Sequence, residues 1–248
     1  MKRKLLTVLL ATMLFTTTFT GCEFYDTIPV DTTTDTLYES EDADNPSVSI
    51  PKLTQTLPVK NEKFSLSVTY DTGDYPLKDW HVTDYKCVNM DVTTKNLPEG
   101  YDVLVEHMHA DISLVSTTQR INGITQDSMD NSFHGTSQDG FAIDDKTSYY
   151  RTFSIEGYTD QFYQLWGYAI NGIGFSSSNY TRVTEANILY YDTYAERLIV
   201  IYDLAIKAPG EEKYHSASVK SEILIPVADN QYMNQSTEST ETAASMEE

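Results

Sequence analysis

The sequence predicts a mainly β fold: an antiparallel sandwich or strongly curved sheet, with a long hairpin and one short helix across it. Three observations carry that expectation. FSLSVTY, residues 64–70, sets Phe64, Leu66, Val68 and Tyr70 against intervening polar residues, the period of two that a half-buried strand requires. RLIVIYDLAIK, residues 197–207, is apolar on both faces, as suits a strand with neighbours on either side. By contrast, TDQFYQLWGYAINGIGF, residues 159–175, repeats its apolar residues at helical spacing.

After the 64–70 strand, WHVTDYKCVNMDVTT and YDVLVEHMHADISLVST flank NLPEG. Pro98 and Gly100 favour a turn, so the pair reads as a long hairpin. In its first arm Val88, Met90 and Val92 share a face; in its second, Leu104, Met108, Ala110, Ile112 and Leu114 do. Residues 122–146 are polar and punctuated by glycine, a long excursion between strands of the kind that tends to be functional or mobile. SYYRTFSIEG, residues 148–157, adds a further strand. Phe162, Leu165, Trp166, Ala169 and Ile170 then form an apolar stripe. With Thr159 or Asp160 as N-cap and Asn171-Gly172 as a stop, a helix over about 160–171 is expected. The chain closes in a meander of ANILYYD, RLIVIYDLAIK and YHSASVKSEILIPV, with turns at DTYAE and APGEEK.

The ends differ in composition from this middle. Residues 22–50 hold eight acids, no base and runs of Thr. Such a stretch cannot bury enough surface to offset chain entropy and is expected to be a disordered acidic tether. As a flexible coil it would span roughly 30 Å and hold the domain clear of a membrane. Residues 229–248 make a similar acidic tail, leaving 51–228 as a single β-rich domain.

Residues 1–21 open with basic Lys2, Arg3 and Lys4, followed by an apolar run from Leu5 to Phe19. That is the layout of a secretory signal. It ends Phe19-Thr20-Gly21-Cys22, which resembles the lipobox of bacterial lipoproteins, with Phe where Leu is usual. The resemblance covers these 22 residues alone. It implies cleavage before Cys22, diacylglycerol on the Cys22 thiol, and a membrane-anchored protein on the extracytoplasmic face. Two acyl chains give the stable anchoring that one does not. Cys87 would then be the sole remaining thiol, with no disulfide partner and no neighbouring His or cluster of basic residues to activate it. Loss of Lys2, Arg3 and Lys4 leaves 37 acids against 14 bases, a formal charge of −23. Nucleic acid is therefore not an expected partner, since phosphate binding depends on Lys and Arg.

EHMHAD, residues 106–111, places two histidines and an aspartate at alternate positions. On a strand His107, His109 and Asp111 point the same way, in line with Val103, Val105 and Ser113. Successive side chains stand about 6.6–7 Å apart while Zn–N bonds are near 2 Å, so Asp111 joins the histidines on one ion only through a bend. The string resembles the H-x-H-x-D-H signature of metallo-β-lactamase-like hydrolases, but Ile112 stands where that family has its next His. His134 lies too near for a distal ligand. His81, on the other arm of the expected hairpin, could pair across to this face. The Asp144-Asp145 pair reads as a solvated loop in so acidic a chain, and oxygen ligands for calcium occur around it without EF-hand or RTX spacing.

No catalytic residue, metal or cofactor is assigned from these patterns. The 18 tyrosines suit strand surfaces or a recognition surface, and both readings stay open. The expected function is that of a lipid-anchored, non-enzymatic β-domain binding a protein partner or ligand at the cell surface. The alternatives are a glycan- or small-ligand-binding lipoprotein serving a transporter, its pocket lined by the 149–168 aromatics, and a metal-dependent hydrolase on His107 and His109.

Overall fold

A computed structural model describes residues 27–41, 49–132, 140–172 and 183–232. Its architecture is the expected one: two antiparallel sheets face one another, and helices cover one end. The first sheet runs β1 (Tyr38–Glu41), β2 (Ser49–Pro58), β3 (Ser65–Asp71), β4 (Lys86–Lys95) and β8 (Tyr149–Ile155), in that spatial order. The second runs β10 (His215–Pro226), β9 (Thr193–Lys207), β5 (Asp102–Ser116) and β6 (Thr125–Ser132), with the two-residue β7 (Phe141–Ala142) also on β5. As its two-faced apolar pattern predicted, β9 is interior, between β10 and β5.

Alternation builds the core between the sheets. Leu66, Val68 and Tyr70 from β3, with Val88, Met90 and Val92 from β4, meet Leu198, Val200, Tyr202 and Leu204 from β9 in one buried cluster. Each such side chain gains about 1.5–3 kcal/mol from burial. A polar chain crosses this core: Tyr70 donates to Ser221 Oγ, and Ser221 donates to Gln55 Oε1, linking β3, β10 and β2. Desolvation pushes the Tyr70 phenol up to about 12. At one end of the sandwich a smaller cluster gathers Leu114, Ile121, Phe162, Trp166, Ile188 and Val227.

The long hairpin of the molecule is β9–β10, paired from Ala195–Pro226 to Ile206–His215. The expected hairpin of residues 80–117 is not one. Its first arm is β4, which pairs with β3 and β8, and its second is β5, which pairs with β6, β7 and β9. NLPEG therefore carries the chain from one sheet to the other. Both arms offer an apolar face, and facing those across the core buries more surface than setting them edge to edge. Asn96 and Gly100 both take positive φ, at 61° and 83°, to make this crossing.

The helix expected over 160–171 is α1 (Asp160–Asn171). Thr159 Oγ1 accepts from Phe162 N at 3.0 Å, and Gly172 ends the helix in left-handed conformation. ANILY, expected as part of a strand, lies in a second helix, α2 (Glu185–Tyr190). Thr184 caps it by accepting from Asn187 N, and the Glu185 carboxylate accepts from Val82 N and Thr83 N. Local capping overrides the β-propensity of Ile188 and Tyr190.

Residues 27–41, expected within a disordered tether, lie on the sandwich. Ile28 N donates to Thr117 O at 2.8 Å beside a Thr27–Thr118 bridge. Asp31 folds back on itself, accepting from the backbone N–H groups of Thr33 and Thr34, and pairs with Arg197 at 3.1 Å. Farther on, Leu224 N donates to Asp35 O and Leu37 N donates to Leu224 O. Leu37 is wholly buried, and β1 pairs with β2. Composition misjudged this stretch because edge hydrogen bonds and three apolar residues, Ile28, Val30 and Leu37, suffice to hold it. It straps the open edge of the second sheet to the first. At the other end of the domain, Asn230 is buried and Tyr232 packs on Tyr194, so residues 229–232, expected in the acidic tail, pack with the domain, while 233–248 lie outside the described residues.

Candidate functional site

The phase of β5 changes at Glu106. A bulge between Val105 and His107 returns Val103 and Val105 to the core beside Met108, Ala110 and Ile112. This corrects the expectation that Val103 and Val105 lie in line with the histidines: an extra residue in one strand reverses the facing of everything before it. His107, His109 and Asp111 keep the outer face of the second sheet, as predicted.

Two aspartates absent from the sequence reading complete the group. Asp203 on β9 stands opposite His107, and Asp130 on β6 stands opposite His109. His107 Nδ1 lies 2.9 Å from Asp203, and its Nε2 lies 3.1 Å from Asp130. His109 Nδ1 is 3.3 Å from the other oxygen of Asp130, and its Nε2 is 2.9 Å from Asp111. The rings stack with centroids 6.5 Å apart. Carboxylate thus faces every ring nitrogen of both residues. A neutral imidazole has one N–H and cannot donate to both sides, so at His107 this geometry favours imidazolium. Asp203 first, then Asp130, holds the His107 pKa above its ordinary value, against a smaller opposing effect of burial. Reciprocally, His107 first and His109 second hold Asp130 below the usual carboxylate range.

Three aspartates outnumber two imidazoles, so the row stays anionic even when both rings are charged. Beside it opens a shallow groove of about 470 Å³, lined by Glu106, His107, Asp203, Ser216, Ala217 and Ser218. Among the described residues no group of three or more His, Cys, Asp or Glu is arranged to hold a metal ion. Ile112, which breaks the hydrolase-like string, is wholly buried and points away from the row.

Other candidates lie elsewhere. His81 approaches Glu185 at 3.7 Å instead of the row, because the arms of the expected hairpin part to different sheets. Asp144 accepts from the backbone of Lys146 and Thr147, and Asp145 accepts from Thr94 Oγ1 and Leu97 N, so this carboxylate pair shapes turns. Cys87 is half-buried and has a free thiol. Of the 149–168 aromatics, Tyr149, Phe153, Phe162 and Trp166 are buried, while Tyr150, Tyr158 and Tyr168 are exposed. Cys22 and His134 lie outside the described residues.

A second charged group sits inside. Lys86 Nζ on β4 is 3.4 Å from Glu196 on β9, and neither side chain is exposed. Trp80 Nε1 donates to Glu196 at 2.6 Å, while Lys86 donates to His81 O and Val82 O. Burial raises the Glu196 pKa against the opposing pull of Lys86. A lone acid among apolar residues was the signal for Asp203; nothing in the sequence paired Lys86 with Glu196.

No protein-family model matches the chain, and no curated protein matches it. Among solved structures, a Northeast Structural Genomics Consortium target, SoR45, is similar over 73% of this chain and 85% of its own, at 10% identity and a TM-score of 0.28. A protein from Archaeoglobus fulgidus is similar over 71% of this chain and 97% of its own, at 12% identity and a TM-score of 0.24. Likeness at this level assigns no function.

Proposed function

We propose that this chain is a lipid-anchored, extracytoplasmic β-domain that binds a protein partner or ligand at the bacterial cell surface and performs no catalysis. The lipobox-like Phe19-Thr20-Gly21-Cys22 supports the anchor. The single observation that supports binding is the outer face of the second sheet, where an anionic histidine–aspartate row adjoins an open groove. Such a face suits a partner presenting Lys or Arg, because complementary charge steers encounter and fixes register. A glycan or small ligand is the second reading. The groove favours it, having a volume within the range of ligand pockets.

Metabolic labelling with an alkyne palmitate tests the anchor: label enters the wild type and not Cys22→Ser. A photo-crosslinking residue placed at Asp130, at Ser218, or at Thr54 on the first sheet tests the face. Adducts of one common mass from positions 130 and 218, and none from 54, are expected. Equal capture at all three would discard this face as the binding surface.

A further inference from the structure

Resting on the anchor at Cys22, we propose that one end of the sandwich lies directly on the lipid headgroup layer, with Tyr190 as its interfacial contact. The argument is one of reach. Only five residue steps separate Cys22 from Thr27, and Thr27 is already bridged to Thr118. A fully extended chain covers at most about 3.6 Å per residue, so Thr118 stands within about 18 Å of the lipidated residue plus one strand spacing. The clearance that a tether of some 30 residues would provide is consumed by the docking of residues 27–41.

The end so placed is defined by its contacts. Thr117 N donates to Asp192 O, and Ser116 Oγ donates to Tyr191 O, which sets the C-terminus of α2 beside loop 117–123. Gln231 Nε2 donates to Asp192 Oδ1 at 3.0 Å, adding the last described turn. Tyr190 projects from this end at 78% exposure, more than any other large apolar side chain exposed among the described residues. Next to it Leu189 is half-buried, and Leu189, Tyr190 and Tyr232 line a shallow groove together with Asp192 and Asp229. A tyrosine ring with an apolar body and a polar tip suits the headgroup level.

The opposite end supplies a control. β5 runs the length of the sheet, 15 residues or about 45 Å, from the turn that holds exposed Glu99 to loop 117–123. Full-length lipidated protein carrying Cys87→Ser is labelled with a nitroxide at Tyr190→Cys, at Gln119→Cys, or at Glu99→Cys. Each is reconstituted in phosphatidylcholine vesicles. The expected result is a severalfold fall in collisions with an aqueous nickel chelate at 190 and 119, a rise in collisions with oxygen there, and no change at 99. Two sites at one end guard against local distortion by either substitution. If the protein floats with the vesicles while all three labels stay equally open to the chelate, the apposition is wrong and the anchor stands. If Cys22 carries no diacylglyceryl mass and the protein stays out of the vesicle fraction, both ideas are overturned.

Discussion

Strand β9 contributes to two charged groups on its opposite faces, and burial alone makes them different devices. Glu196, at one end of the strand, points inward to Lys86 with neither side chain exposed. Asp203, seven positions on, points outward to His107, where the side chains are 43% and 29% exposed. Inside, water cannot replace a lost partner, so each charge is a condition of the other's presence. Outside, solvent screens every contact. The inner pair joins a strand of one sheet to a strand of the other, while the outer contacts lie open to solvent.

Removing one half of the inner pair tests this most severely. Glu196→Ala strands the Lys86 ammonium and the Trp80 indole N–H in the core, and the expected cost is about 3–5 kcal/mol in urea unfolding. Lys86→Met with Glu196→Leu should lose far less than either single change, since no charge is then left buried. The indole N–H remains without its acceptor and costs about 1–3 kcal/mol. A single substitution costing under about 1 kcal/mol would mean that water reaches this pair, and the contrast would fail.

The inner group also depends on backbone. Carbonyls of His81 and Val82 hold Lys86, and the loop that presents them presses on Gly157. A Cβ there would lie 2.0 Å from Thr83 O. Gly157→Ala must therefore push this loop outward, at an expected cost of about 1–3 kcal/mol. Near-UV circular dichroism at the Trp80 environment should change with it.

Between the extremes lies Arg197, next to Glu196 but on the outer face, pairing with Asp31 and Glu222 at 24% exposure. Hydrogen bonds from the Thr33 backbone first, and from the Thr34 side chain among others, lower the Asp31 pKa to about 2. A lowered folded value stabilises above the unfolded 3.8 and is lost as pH falls toward about 2. Asp31→Ala should cost about 1–2 kcal/mol. Hydrogen exchange checks where: protection should fall at Ile28 and Leu37, and not in β5 or β9.

How far the sequence reveals these features follows the same division. Strand alternation in β3 and β4, the interior position of β9 and the capped helix α1 were legible, because each rests on local periodicity or one capping side chain. The outward facing of His107, His109 and Asp111 was legible for the same reason. Partners across strands were not. Asp203 and Asp130 reach the histidines through a register that includes a bulge at Glu106, and no pattern within β5 announces it. The crossing at NLPEG was also hidden, since a turn of that composition serves a hairpin or a change of sheet equally well. Residues 27–41 escaped because an edge strap draws its stability from the strand it lies on.

The mildest prediction is the most diagnostic for the outer row. His107→Gln keeps a polar side chain but neither the charge nor donors on two opposite edges, and at these exposures it should cost less than about 1 kcal/mol. Its dependence on pH carries the information. Asp203, foremost, raises the folded His107 pKa, so the pairing stabilises fully below the unfolded value of about 6.5 and fades as pH rises through the folded one. The lowered pKa of Asp130 sets the other limit, since its contribution is present above the unfolded carboxylate value and lost as pH falls through the folded one. The difference between wild type and His107→Gln should therefore be greatest near pH 5, about midway between the unfolded carboxylate and imidazole values. It should shrink above about 6.5 and with added salt. A difference that grows with pH would mean that the imidazole is held neutral, as an acceptor, and that the row is organised around some other cation.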